Sequence, residues 1–119
     1  MGAGATFGIE NLGKDVLVLS GEVSTANVML FITELTARPC RLSQDLVLDM
    51  AELFFADGIA ILLTINALRS LALRVNSLRL QYPSEPMHEG LLGNGVLDEP
   101  GLRIQLVCRP AKLAAVLDD

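Results

Sequence analysis

The chain has no tryptophan, one tyrosine, one histidine (His88) and two cysteines (Cys40, Cys108) in 119 residues. Each scarcity excludes something. With one imidazole and no Cys-x-x-Cys spacing, a histidine- or cysteine-built metal centre is not expected, and two distant thiols read as ordinary buried or half-buried residues of a reducing compartment. Positive charge is also short, nine Lys and Arg against fourteen Asp and Glu for a net charge of -5, so a phosphate backbone has no basic face to bind and nucleic acid is not an expected partner. The uncharged run between Asp57 and Arg69, as long as any in the chain, includes Thr64 and Asn66 and falls short of the roughly 20 apolar residues of a membrane span. No membrane insertion is expected. The residues Met1 to Thr6 show neither a basic patch nor an apolar segment, and the expected location is cytoplasmic.

What the chain does have is apolar content, 51% hydrophobic with only 19% charged, enough for one packed domain spanning 1–119 with a core of about 6–107. Thr6 to Glu10 reads as a weak first strand, with Asn11-Leu12-Gly13-Lys14 as a hairpin turn into the apolar run Val16-Leu17-Val18-Leu19, which is expected to end at Ser20-Gly21. Ser24 or Thr25 is the expected cap of a helix over 24–37, whose Val28, Phe31, Ile32 and Leu35 repeat at helical spacing before Arg38-Pro39 ends it. Leu46-Val47-Leu48, closed by Asp49, reads as a central strand. A helix over 57–74 is apolar around most of its circumference. Leu78 and Leu80 alternate with Arg79 and Gln81 in a strand over 77–82, after which Pro83 and Pro86 are expected to break the chain. A short helix over 87–92, a strand over 102–108 and an amphipathic tail over 110–118 complete the order. Strands alternating with helices predict an α/β fold, a four- to five-stranded, mostly parallel sheet with an N-terminal edge strand and helices packed on it.

Four pieces then stand in sequence: Gly21-Glu22-Val23 after a strand, Leu46-Val47-Leu48-Asp49 as a strand, Phe55-Ala56-Asp57, and the apolar helix from Asp57. This order resembles the STAS domain, the family named for sulfate transporters and anti-sigma factor antagonists, over roughly 6–106. The family segment Asp-Leu-Ser-Gly-Val-x-Phe-Ile-Asp-Ser-Ser-Gly-Leu aligns without a gap on residues 49–61, where Asp49, Phe55 and Asp57 match, and Leu92-Gly93-Asn94-Gly95-Val96 is similar to the family's Leu-x-x-x-Gly-Leu. The resemblance implies a binding module rather than an enzyme, with no cofactor. Its expected partner is an anti-sigma factor of serine-kinase fold, released when that partner phosphorylates the serine after the matched aspartate. A transporter subunit docking on an ATPase, or a small-ligand-binding domain, are the alternatives the family offers.

The chain departs from the family where that chemistry occurs. Gly58 holds the phosphoacceptor position, Ile59 the second serine and Ala60 the glycine, and Gly21-Glu22-Val23-Ser24 replaces Gly-Glu-Leu-Asp. Glycine has no hydroxyl, so the phosphate switch is expected to be absent at this turn. The implied partner-binding residues are Glu22, Ser24, Thr25, Asp57, Gly58 and Ile59. Asp57 is equally expected to cap its helix, and Gly58 to ease the turn. Other features weigh less. His88, between Glu85 and Glu89, reads as a solvated loop residue; Phe54 and Phe55 both read as core, with an outward-facing interface anchor the alternative for Phe54; Glu52 with Asp57 lacks a nucleophile or metal for acid–base work; and Gly90, Gly93 and Gly95 make no dinucleotide fingerprint.

Overall fold

The computed structural model describes residues 7–108. The expected tail over 110–118 and Thr6 lie outside them. The order is β1 (Phe7–Asn11), β2 (Val16–Val23), α1 (Val28–Thr36), β3 (Asp45–Phe55), α2 (Gly58–Ala72), β4 (Ser77–Gln81), α3 (Glu85–Asn94), a 3-10 turn (Val96–Asp98) and β5 (Ile104–Val107). The five strands form one sheet in the order β1-β2-β3-β4-β5, with β1 antiparallel to β2 and every other pair parallel. The α/β class and the mostly parallel sheet with its antiparallel N-terminal edge strand are therefore as the sequence predicts.

The three central strands, β2, β3 and β4, bury alternate residues, Leu17 and Leu19, Leu46, Leu48 and Met50, Leu78 and Leu80, while the intervening Arg79 is exposed. That period of two marks a sheet covered on one side. α1 packs on α2 and α2 on α3, and side chains of all three helices join those strand residues in a single core cluster. Phe31, fully buried on α1, meets the Phe7 ring edge-on with centroids 5.2 Å apart, which locks the edge strand to the first helix.

The last strand is shorter than the expected 102–108, and four other differences from the sequence expectation have a local reason. β2 does not end at Ser20-Gly21: Gly21 takes φ +92, open to glycine at little cost, and the strand continues to Val23. β3 does not close at Asp49. Val18 pairs with Asp49 and Ser20 with Glu52, so β3 holds one extra residue, a bulge, and Asp49 Oδ1 accepts the Ala51 N–H at 3.0 Å. Helix α1 begins at Val28, not Ser24, because both the Asn27 and Val28 N–H groups donate to the Ser24 carbonyl (3.1 and 2.8 Å) in a turn that precedes the helix. Pro86 opens α3 instead of breaking the chain, since a first-turn N–H has no helical acceptor to lose. His88 is therefore a half-buried helical residue, not a loop one. Cys40 is half-buried as expected, whereas Cys108 is exposed.

Candidate functional site

The parallel strands β2 and β3 end side by side, and the segments that leave them, Ser24–Asn27 and Ala56–Asp57, meet. Asp57 joins them. It is the N-cap of α2 in an extended conformation (φ -154, ψ 165), and its Oδ1 accepts the Ala60 N–H at 2.8 Å, the i to i+3 bond of a capped helix. The same carboxylate reaches across 32 residues of sequence to Thr25, whose hydroxyl donates to Oδ1 at 2.8 Å and whose backbone N–H donates to Oδ2 at 3.0 Å. Capping and loop contact are thus two uses of one carboxylate. The Ala60 N–H first, then the Thr25 N–H and hydroxyl, stabilise the charged form and hold the Asp57 carboxyl below its ordinary value.

The loop itself is tied by Asn27. Its Oδ1 accepts the Ser24 N–H at 2.8 Å and its Nδ2 donates to the Glu22 carbonyl at 3.1 Å, while Ser24 Oγ accepts the Ala26 N–H at 3.2 Å. Ser24 and Thr25 therefore do not cap α1 with their side chains; Asn27 holds the N-cap position, itself without a side-chain capping bond. Asn27 was not a sequence candidate. The signal for it was a side-chain amide just ahead of an apolar run, a residue type that bonds its own neighbouring backbone.

Gly58 opens α2, exposed, and a Cβ built on it would meet nothing within 4 Å. Ile59 is 58% exposed, and Leu62, one turn on, is 49% exposed. Between α2 and α3 an apolar groove of about 400 Å³ begins at Gly58 and runs past Ile61, Leu62 and Ile65 to Pro86 and Gly90. Leu62 was legible only as part of a helix with more apolar positions than one buried stripe needs. Glu22 is exposed near the end of β2, paired in register with Phe54. Phe54 corrects the core expectation: it is 53% exposed, and only Phe55 packs against the core.

The remaining candidates stay apart from this surface. Glu52 is exposed on β3, and none of the hydrogen bonds of the Asp57 carboxylate described above involves it. His88 Nε2 lies 3.8 Å from Cys108 Sγ, and among the described residues no group of three His, Cys, Asp or Glu side chains is placed to hold a metal ion. No helix of the described residues is long and apolar enough to cross a membrane. In sequence, no protein-family model and no curated protein matches the chain.

Proposed function

We propose that the chain is a non-enzymatic, protein-binding regulator of the STAS type, closest in kind to an anti-sigma factor antagonist, and that it acts in the cytoplasm on a serine-kinase-fold partner. The docking surface is the Ser24–Asn27 loop with the first turn of α2. One observation carries this: a single carboxylate, Asp57, fastens the loop and the helix start to each other through Thr25 and Ala60, beside a bare Gly58 and the exposed Ile59 and Leu62. A surface already fixed in one conformation loses little entropy on docking. Exposed apolar side chains beside an open backbone offer desolvation without obstruction.

The reading includes a constitutive form. Gly58 offers no hydroxyl, and the hydroxyl of Thr25 is committed to Asp57. A phosphate on Thr25 would place a charge of about -1.5 to -2 against that carboxylate and part the two segments. The nearby chemistry favours a module left permanently in its binding state.

Affinity capture from the native cell, followed by titration of the captured protein with Gly58→Asp and Gly58→Ala variants, tests the reading. A kinase-fold partner whose binding weakens tenfold or more (about 1.4 kcal/mol) with Asp but changes little with Ala is the expected result. Unchanged affinity with Asp removes the first turn of α2 from the interface. Capture of an ATP-binding cassette subunit would assign the chain to a transporter instead.

A further inference from the structure

At the other end of β3 the chain encloses a second space, away from the Asp57 surface by most of an eleven-residue strand, about 30 Å of rise. It is an open-mouthed cavity of about 230 Å³ between the β1–β2 turn, the end of α1 and the start of β3. Its floor is apolar: Leu17, Leu35, Leu46 and Leu71 are each at most 6% exposed. Its rim is cationic, with Lys14 and Arg38 among the lining residues and no Asp or Glu. In a chain with five more acidic than basic residues, that is a local inversion of charge.

Arg38 defines the chemistry. Its Nη1 donates to Asn11 Oδ1 at 3.3 Å and its Nη2 to the Ile9 carbonyl at 3.2 Å, both neutral acceptors. Its Nε is closed to solvent and bonded to nothing. The only ion pair among the described residues is Arg69 with Glu99, so this part-buried guanidinium has no carboxylate of its own. Asp15, in the β1–β2 turn, lies outside the lining and accepts a hydrogen bond from Gln44 Nε2 at 3.1 Å. A charge removed from water and left without a counter-ion is costly, and an anion that supplies one is bound in proportion.

We propose that this cavity binds a small amphiphilic monocarboxylate, its carboxylate at Arg38 and Lys14 and its hydrocarbon body against the four leucines. The size follows from the volume. An apolar cavity of about 150 Å³ accommodates benzene, so 230 Å³ takes about nine non-hydrogen atoms, the size of hexanoate or benzoate. Bare acetate leaves the floor wet, and an alcohol of equal length leaves the guanidinium unpaired. The site is independent of the partner surface and of the reading given to it.

Cys40 lines the same cavity and provides the probe. In a Cys108→Ser variant Cys40 is the single thiol, and its rate of modification by a thiol reagent is measured with sodium hexanoate, 1-hexanol or acetate present. Hexanoate at ten times its dissociation constant is expected to slow the reaction about tenfold, with 1-hexanol and acetate at equal concentration nearly inert. Methyl resonances of Leu17, Leu35, Leu46 and Leu71 are expected to shift along the same saturation curve. Lys14→Gln, a change at an exposed turn residue, raises the hexanoate needed by fivefold or more while the fold stays intact. Equal protection by hexanoate and 1-hexanol overturns the anion recognition. Absence of both protection and methyl shifts at tens of millimolar hexanoate overturns the site.

Discussion

Helix α3 lies so close to α2 that one of its glycines has no room to be anything else, and a neighbouring glycine shows how much that closeness is worth. A Cβ on Gly90 would sit 2.9 Å from Ile61 Cγ2 and 3.1 Å from Ile65 Cδ1, whereas a Cβ on Gly93 of the same helix would meet nothing within 4 Å. Both Gly→Ala changes gain up to about 1 kcal/mol of helix propensity, so their difference isolates the packing. Ile65 Cδ1 is the end of a flexible chain and can turn aside. Ile61 Cγ2 is a branch on Cβ, held by a stiff χ1, and cannot. Overpacking of this kind costs about 1–3 kcal/mol, which sets the expected gap between Gly93→Ala (stabilised) and Gly90→Ala (neutral to destabilised). With a urea slope of about 1.5 kcal/mol per M, the two midpoints separate by about 0.7–2 M. Ile61→Leu removes the obstructing branch at nearly constant volume, and the double variant with Gly90→Ala is expected to recover most of the loss. If Gly90→Ala is as stable as Gly93→Ala, the helices do not touch as described and the groove beside Gly58 has a different shape.

Asp57 carries a pH signature. Hydrogen bonds from the Ala60 N–H and from Thr25 hold its folded pKa below the ordinary carboxylate value, so the stability it contributes is fully present above the unfolded value and is lost as pH falls through the lower folded one; thermal melting of Asp57→Asn between pH 5 and pH 2 is expected to show a shallower acid decline than the parent, and parallel curves would remove Asp57 as a contributor. Thr25→Val deletes the hydroxyl bond but keeps the N–H bond to Asp57, and is expected to raise amide exchange in Ser24–Asn27 without moving the core amides, which hydrogen-exchange mass spectrometry reads directly. Phe31→Ala, fully buried and edge-on to Phe7, is expected to cost about 3–5 kcal/mol in chemical denaturation; a loss under 1 kcal/mol would contradict the packing of the edge strand on α1.

The parts of this fold that are local in sequence were readable there. Alternation in Leu78-Arg79-Leu80-Gln81 and the stripe Val28, Phe31, Leu35 are set by neighbours two to four residues away, and the Asp57 cap is an i to i+3 bond. The bulge in β3 was not readable, nor was the continuation of the strand past Asp49. The extra residue between Asp49 and Glu52 reverses the alternation begun by Leu46 and Leu48, so Leu53 goes in and Phe54 faces out. The start of α1 failed for a different reason. Thr25 has the chemistry of a cap, but its hydrogen bonds go to a carboxylate 32 positions away, a partner that no local pattern announces. The cationic rim was hidden likewise: Lys14 and Arg38 are 24 residues apart and meet only because β1 pairs with β2 and α1 returns across the start of β3.

The strand order itself bears on what kind of surface the Asp57 end can be. Parallel α/β sheets open a ligand crevice where the strand order reverses, because the loops on either side of the reversal diverge to opposite faces. Here the order runs β1 to β5 without reversal, and each crossover is followed by a strand laid next to the last. The loops leaving β2 and β3 consequently turn toward the same side and collide. The Thr25–Asp57 bonds, at 2.8 and 3.0 Å, occupy the place where a crevice would have been. What such an end can offer is its outside: a fixed rim with bare backbone at Gly58 and apolar side chains at Ile59 and Leu62. A more enclosed space lies at the opposite end, where the hairpin turn and the end of α1 wrap around the buried leucines. A large partner suits the first end and a small one the second, and the two can be tested without reference to each other.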